Sequence, residues 1–280
     1  MSDKNPFPGE NNTGHIWDDN IRELDNPPPN WWMLAFWASI AWVVIYAVLY
    51  PMFPGISGNT KGIMGWSQIK EYNEGLNEVM SARADYEARI KDKSAAQILA
   101  DPDLKGYTLA AAKVLFGDNC ASCHGSKGQG VPSFPILVDD DWLFGGSVEA
   151  VEQTITGGRK GIMTANSKTM SAVEIDQLAQ DILNGKAVSN PLFMAKGCFA
   201  CHGPDAKGVQ AMGSANLTDK IWRFAEEDQL ASINYTITHG VNDTSDSMTR
   251  QAEMPVFGNR LSKDEIKKLT VYVKDLTGGQ

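Results

Sequence analysis

The sequence predicts an all-α protein with one N-terminal transmembrane helix, a helical spacer and two tandem copies of a small helical module. Three observations carry that prediction. A twenty-residue run near the N-terminus has no charge, the C-terminal part repeats itself, and strand signals are sparse in both copies. The expected division is a tail over 1–30, the membrane helix over 31–50, a spacer over 51–105, and modules over 106–188 and 189–280.

The bulk numbers agree with folded modules. Among 280 residues, 42% are hydrophobic and 21% charged, so disorder throughout is excluded. The net charge of −9 argues against nucleic-acid binding, which needs Lys and Arg in excess, and suits a basic partner or a larger assembly.

The uncharged run is WWMLAFWASIAWVVIYAVLY, from Trp31 to Tyr50. At roughly 1.5 Å per residue it spans about 30 Å, the hydrocarbon thickness of a bilayer. Trp31 and Trp32 at one end, and Tyr46 and Tyr50 near the other, are interfacial aromatics. Pro27, Pro28 and Pro29 block the helix upstream, and Pro51 and Pro54 close it downstream. A soluble core helix would show a polar face, and a cleaved leader would have a basic flank and a small-residue cleavage site. Here the preceding tail is acidic, with Asp3, Glu10, Asp18, Asp19, Glu23 and Asp25 against Lys4 and Arg22. The run is therefore expected to remain as an anchor. Loop charges do not decide its orientation.

In the spacer, Ser67–Ala100 is rich in Glu, Lys, Ala and Gln, and Ile69, Tyr72, Leu76, Val79 and Met80 recur at helical spacing. The expectation is one amphipathic helix, either packed on a partner or solvated as a connector.

The modules align on FGDNCASCHGSKGQG and MAKGCFACHGPDAKG. Leu137-x-Asp139-x-x-Trp142 then matches Leu217-x-Asp219-x-x-Trp222, and TITGG from Thr154 matches TITHG from Thr236. Each copy ends in a predicted helix opening on a capping box, Ser171-x-x-Glu174 or Ser262-x-x-Glu265. Their apolar stripes are Ile175, Leu178, Ala179 and Ile182, and Ile266, Leu269, Val273 and Leu276. A helical unit of about eighty to ninety residues buries little core and usually needs a staple.

All four cysteines fall in two C-x-x-C-H strings, Cys120-Cys123-His124 and Cys198-Cys201-His202. Two thiols one helical turn apart meet the two vinyl groups of haem, and the adjacent imidazole meets the iron; the string marks c-type haem attachment. Two such pairs could instead converge on one zinc ion, or act as dithiols. Zinc does not require a histidine after each pair, and a thioredoxin-like dithiol wants a βαβ setting. Two covalently bound haem c groups are therefore expected, each module being a cytochrome c domain.

A low-spin haem iron takes a sixth ligand, commonly methionine in electron-transfer cytochromes. The candidate axial residues are Met163, in Gly161-Ile162-Met163-Thr164-Ala165, and Met254, in Glu253-Met254-Pro255. Each precedes the terminal helix of its copy. Met170 and Met248 are their rivals, and a lone methionine ordinarily fills core. His239 could serve a bis-His iron, but its counterpart in the first copy is a glycine. His15 has no candidate role. Sequence order pairs Met163 with the first haem and Met254 with the second, and exchange between modules stays open. Irons closed on both faces favour an electron conduit over a catalyst, so no catalytic residue is expected. Attachment of haem c outside the bacterial cytoplasmic membrane would place residues after Tyr50 in the periplasm and the tail in the cytoplasm.

The chain resembles the dihaem subunit (subunit III or P) of cbb3-type cytochrome c oxidases. The resemblance rests on the anchor followed by two C-x-x-C-H modules, and on HIWDDNIRELDNPPPNWW before the anchor. It implies two periplasmic cytochrome c folds on a single-pass inner-membrane anchor. They would take electrons from a donor cytochrome c and pass them, through a monohaem cytochrome c subunit, to the haem-copper catalytic subunit that reduces oxygen. It also implies Cys120, Cys123, Cys198 and Cys201 as attachment residues, with His124, His202, Met163 and Met254 as axial ligands. Family members are described with crossed methionines. Thr164 after Met163, and Asn30 before the Trp pair, depart from the family's proline and basic residue. The rival functions are a free-standing dihaem cytochrome serving another reductase, a dihaem peroxidase with one displaceable iron ligand, and a zinc-stabilised binding module.

Overall fold

The computed structural model describes residues 9–18, 20–56 and 58–277; Asp3, Lys4 and Asp19 of the acidic tail lie outside them. The chain divides after Ala82 into two compact units.

In the N-terminal unit the tail is more than an acidic stretch. β1 (Asn12–Trp17) and β2 (Ile21–Leu24) form an antiparallel hairpin, beside which Arg22 pairs with Glu10. Helix α1 (Asn30–Leu49) lies within one residue of the predicted span. Pro29 is its N-cap, and Tyr50 is already extended, as a residue before proline prefers. None of its residues is buried, and its length and apolarity suffice to cross a bilayer. An apolar helix with no buried face needs a nonpolar surround, which lipid supplies. A small hairpin, β3 (Pro54–Gly55) with β4 (Gly58–Asn59), follows.

The spacer is not one helix. α2 (Gln68–Lys91) stops, and α3 (Ala95–Leu99) restarts at Ser94. The break is chemical: the Ser94 hydroxyl accepts from the Gln97 N–H while the Gln97 side chain accepts from the Ser94 N–H, an N-terminus signal in mid-stretch. The predicted stripe of Ile69, Tyr72, Leu76, Val79 and Met80 is exposed, and Ile90 is the buried residue of α2.

The C-terminal unit continues with α4 (Pro102–Asn119), α5 (Ala121–His124), α6 (Val148–Gly157), β5 (Arg159–Lys160) and α7 (Ala172–Leu183). After a 3₁₀ turn come α8 (Pro191–Ala195), α9 (Phe199–His202), α10 (Gln229–His239), β6 (Glu253–Met254) and α11 (Lys263–Leu276). Both predicted capping boxes form, at Ser171 with Glu174 and at Ser262 with Glu265.

The terminal helices pack across the repeats. α11, which ends the second copy, lies on α4 and α6 of the first; its Ile266, Leu269 and Val273 join Phe116, Val151 and Ile155 in one core. α7, which ends the first copy, lies on α10 of the second; its Leu178, Ala179 and Ile182 join Phe193, Ile233 and Ile237. Fully burying a residue such as Leu269 stabilises the fold by roughly 1.5–3 kcal/mol, so each repeat gains from the other's terminal helix. Polar contacts reinforce the exchange: Lys274 Nζ donates to the Gly146 carbonyl at 2.7 Å, and Lys105 pairs with Asp275 at 2.7 Å.

Candidate functional site

Each C-x-x-C-H string forms the same local device. α4 ends at Cys120, and the one-turn α5 carries Cys123 and His124. Likewise Cys198 opens α9, which carries Cys201 and His202. A glycine-rich loop then folds back: Gly130 N–H donates to the His124 carbonyl at 2.7 Å, and Gly208 N–H to the His202 carbonyl at 2.8 Å.

The histidine rings are held from behind. His124 Nδ1 lies 3.0 Å from the Pro135 carbonyl, and His202 Nδ1 lies 2.9 Å from the Ala215 carbonyl. A carbonyl accepts, so Nδ1 carries the proton and Nε2 keeps its lone pair for a metal. Burial, which the Pro135 carbonyl opposes and the Arg223 charge assists, keeps the His124 pKa below its usual value. Burial does the same for His202 against the Ala215 carbonyl. Both rings are thus biased to the neutral form, the one that can ligate a metal.

Two cavities open in front of these rings. The first, of about 710 Å³, is lined by Cys120, Cys123 and His124; the second, of about 320 Å³, by Cys198, Cys201 and His202. Cofactor pockets typically run to roughly 300–1,000 Å³. The two cysteine pairs face different cavities, so they do not converge on one metal. Burial, and then the neighbouring Cys123, push the Cys120 thiol up to about 11, and burial raises Cys198. Such thiols are poorly poised for dithiol exchange near neutral pH. Paired thiols, a neutral imidazole and an apolar cavity fit covalent haem.

The methionines depart from sequence order. Met254, of the second repeat, lines the first cavity, and Met163, of the first repeat, lines the second. The physical reason is backbone pairing. In the β5–β6 ribbon Arg159 pairs with Met254, while Met163 and Val241 form a separate bridge. Gly158 and Gly240, the last residues of TITGG and TITHG, make the close approach possible. Their φ values are +66° and +67°, and a Cβ at either would collide with the carbonyl of Met254 or Met163 respectively. Asn242 locks the junction, donating from Nδ2 to the Gly161 carbonyl at 2.7 Å and to the Ala252 carbonyl at 2.8 Å.

Neither Met170 nor Met248 lines either cavity: Met170 is buried in core, and Met248 is exposed. His239 has its Nδ1 3.0 Å from an Asp246 carboxylate and lines neither cavity. Sequence reasoning missed Met212, which lines the second cavity, and Arg223, which lines both. Only the repeat alignment carried a signal for Arg223, since it follows Trp222 where Leu143 follows Trp142.

Comparison with known proteins covers the whole organisation. The family model described as the N-terminal domain of cytochrome oxidase-cbb3, FixP, matches residues 9–57. That for cytochrome c oxidase, cbb3-type, subunit III matches 108–180, and that for cytochrome c matches 187–277. The cbb3-type cytochrome c oxidase subunit FixP of Azorhizobium caulinodans is 39% identical over 97% of this chain and 94% of its own. The same-named subunit of a Bradyrhizobium species is 38% identical over 97% and 96%. The cbb3-type subunit CcoP of Rubrivivax gelatinosus is 37% identical over 96% and 84%. With an anchor helix, two C-x-x-C-H cavities and these relatives along its length, the chain belongs to the FixP/CcoP family of cbb3-type cytochrome c oxidase subunits.

Proposed function

We propose that the chain carries two covalent haem c groups, one in each cavity, and moves electrons between a donor cytochrome c and the oxidase's catalytic subunit. Cys120 and Cys123 hold the first haem, with His124 and Met254 on its iron. Cys198 and Cys201 hold the second, with His202 and Met163. Haem bound in this way supplies a one-electron iron couple. The chain's own residues orient the imidazoles through Pro135 and Ala215 and line the cavities with apolar groups, and Met254 and Met163 would supply a thioether to each iron. An iron held by both a histidine and a methionine would have no open position, which suits electron transfer rather than bond chemistry.

What supports this reading is a C-x-x-C-H string at each cavity together with a methionine of the other repeat, Met254 at the first and Met163 at the second, where Met212 also lines the cavity but is exposed. On the same reading α1 holds the chain in the inner membrane, with residues after Tyr50 on the periplasmic side, where haem is attached. The partners are a monohaem cytochrome c subunit and the haem-copper subunit.

Purification in mild detergent tests it. The chain is expected to co-migrate with a copper-containing oxidase core and to carry two haems per polypeptide by pyridine haemochrome. A red dihaem band free of copper would move the assignment to a free-standing cytochrome, and a colourless chain would remove haem altogether.

A further inference from the structure

Arg223 lines both cavities, and its position is unusual for a charged residue. Its Nε is buried without a hydrogen-bond partner, and it forms no ion pair among the described residues. Its guanidinium stands 5.7 Å from the centroid of the adjacent Phe224 ring, and its charge acts on His124. A buried guanidinium N–H without an acceptor is costly, so such a donor ordinarily has one. The fold does not demand a charge there. By repeat symmetry the matching residue is Leu143, which also lines both cavities and is neutral. Arg159, by contrast, lines only the first cavity, and its Nε donates to Thr154 Oγ1 at 2.9 Å. Arg223 is thus a half-buried guanidinium that lines two cavities with its Nε donor unmatched. Haem brings two propionate carboxylates of its own, the anion that a guanidinium fork binds best.

We propose that Arg223 is a cationic contact shared by both haems, taking propionate carboxylates from each and raising both reduction potentials. The inference rests on the dihaem reading above. A positive charge beside a haem, or one that neutralises its carboxylates, disfavours the more positive ferric state. One residue therefore tunes both stations together, keeping the step between them small while lifting both.

The test is potentiometric titration of the full haem-loaded chain in detergent, followed by its visible spectrum, with haem first counted by pyridine haemochrome. Fewer than two haems in the native chain would remove the dihaem reading itself. With two present, Arg223→Gln is expected to lower both midpoints, each by about tenfold in the reduction equilibrium, or about 59 mV for one electron. A fall at one haem only, or at neither, overturns the shared role. Should Arg223→Gln fail to load haem, Arg223→Lys decides. Lysine keeps the charge but loses the fork, so both midpoints fall in parallel by less. A change at one haem alone, or at neither, again overturns the proposal.

Discussion

Met163 and Val241 each donate a backbone N–H to the other's carbonyl, both at 2.9 Å, although they belong to different sequence repeats. The mirror of this contact joins Arg159 to Met254. Around these two junctions the repeats trade their methionines and their last helices. Further bonds follow the same symmetry. Asn166 N–H donates to the Ile237 carbonyl at 3.0 Å, and Phe257 N–H to the Ile155 carbonyl at 3.2 Å.

The glycines at the junctions are therefore the weak points. Gly158→Ala and Gly240→Ala each force a left-handed φ on a residue with a Cβ and drive that Cβ into a methionine carbonyl. Each is expected to cost about 1–3 kcal/mol of stability. Each should also weaken one of the two methionine-to-ferric-iron charge-transfer signals while leaving both haems attached. Denaturant titration and absorption spectra check both effects. Unchanged stability would mean that the junctions are looser than described.

Exchange of the terminal helices predicts how a nicked chain behaves. Gly185 and Lys186 are exposed, between α7 and the turn before α8. Cleavage there leaves α11 on α4 and α6, and α7 on α10, so the two fragments are expected to co-elute in native buffer and part only in denaturant. Fragments that separate in native buffer would contradict the shared cores. The probe is size exclusion after limited proteolysis.

Asp141 lines the first cavity, and its carboxyl is pushed up to about 6 from the usual 3.8. Burial is the leading cause, followed by Asp219, Asp139 and Asp140. Between those pH values the folded chain holds a proton that the unfolded chain has released. The Asp141 contribution to stability therefore falls as pH rises from about 4 to 6, and is flat above. Asp141→Asn is expected to gain stability over the native chain at pH 7 and to gain little at pH 4. Urea titrations at the two pH values compare them, and an equal difference at both would refute the cause given.

Much of this architecture was legible. Twenty uncharged residues between prolines specify α1, because an unbroken apolar run of that length forms a helix long enough to cross a bilayer. Ser171 with Glu174, and Ser262 with Glu265, mark helix starts by local hydrogen bonding, which needs no tertiary knowledge. The C-x-x-C-H strings point to both cavities for the same reason. The exchange of terminal helices was not legible. Ile175, Leu178 and Ile182 form a stripe much like that of Ile266, Leu269 and Val273, and an apolar stripe says that a helix is covered without saying by what. The break at Ser94 was missed because Glu, Lys and Ala continue through it, while the capping pair of Ser94 and Gln97 that ends the helix is short. Arg223 was missed because its meaning lies in two cavities that no single segment reveals.

The most direct test is a cryo-EM or crystal structure of the haem-loaded chain, read at the iron bound through Cys120 and Cys123. The sulfur opposite His124 is expected to be that of Met254. Finding Met163 there, in sequence order, would contradict the crossed arrangement.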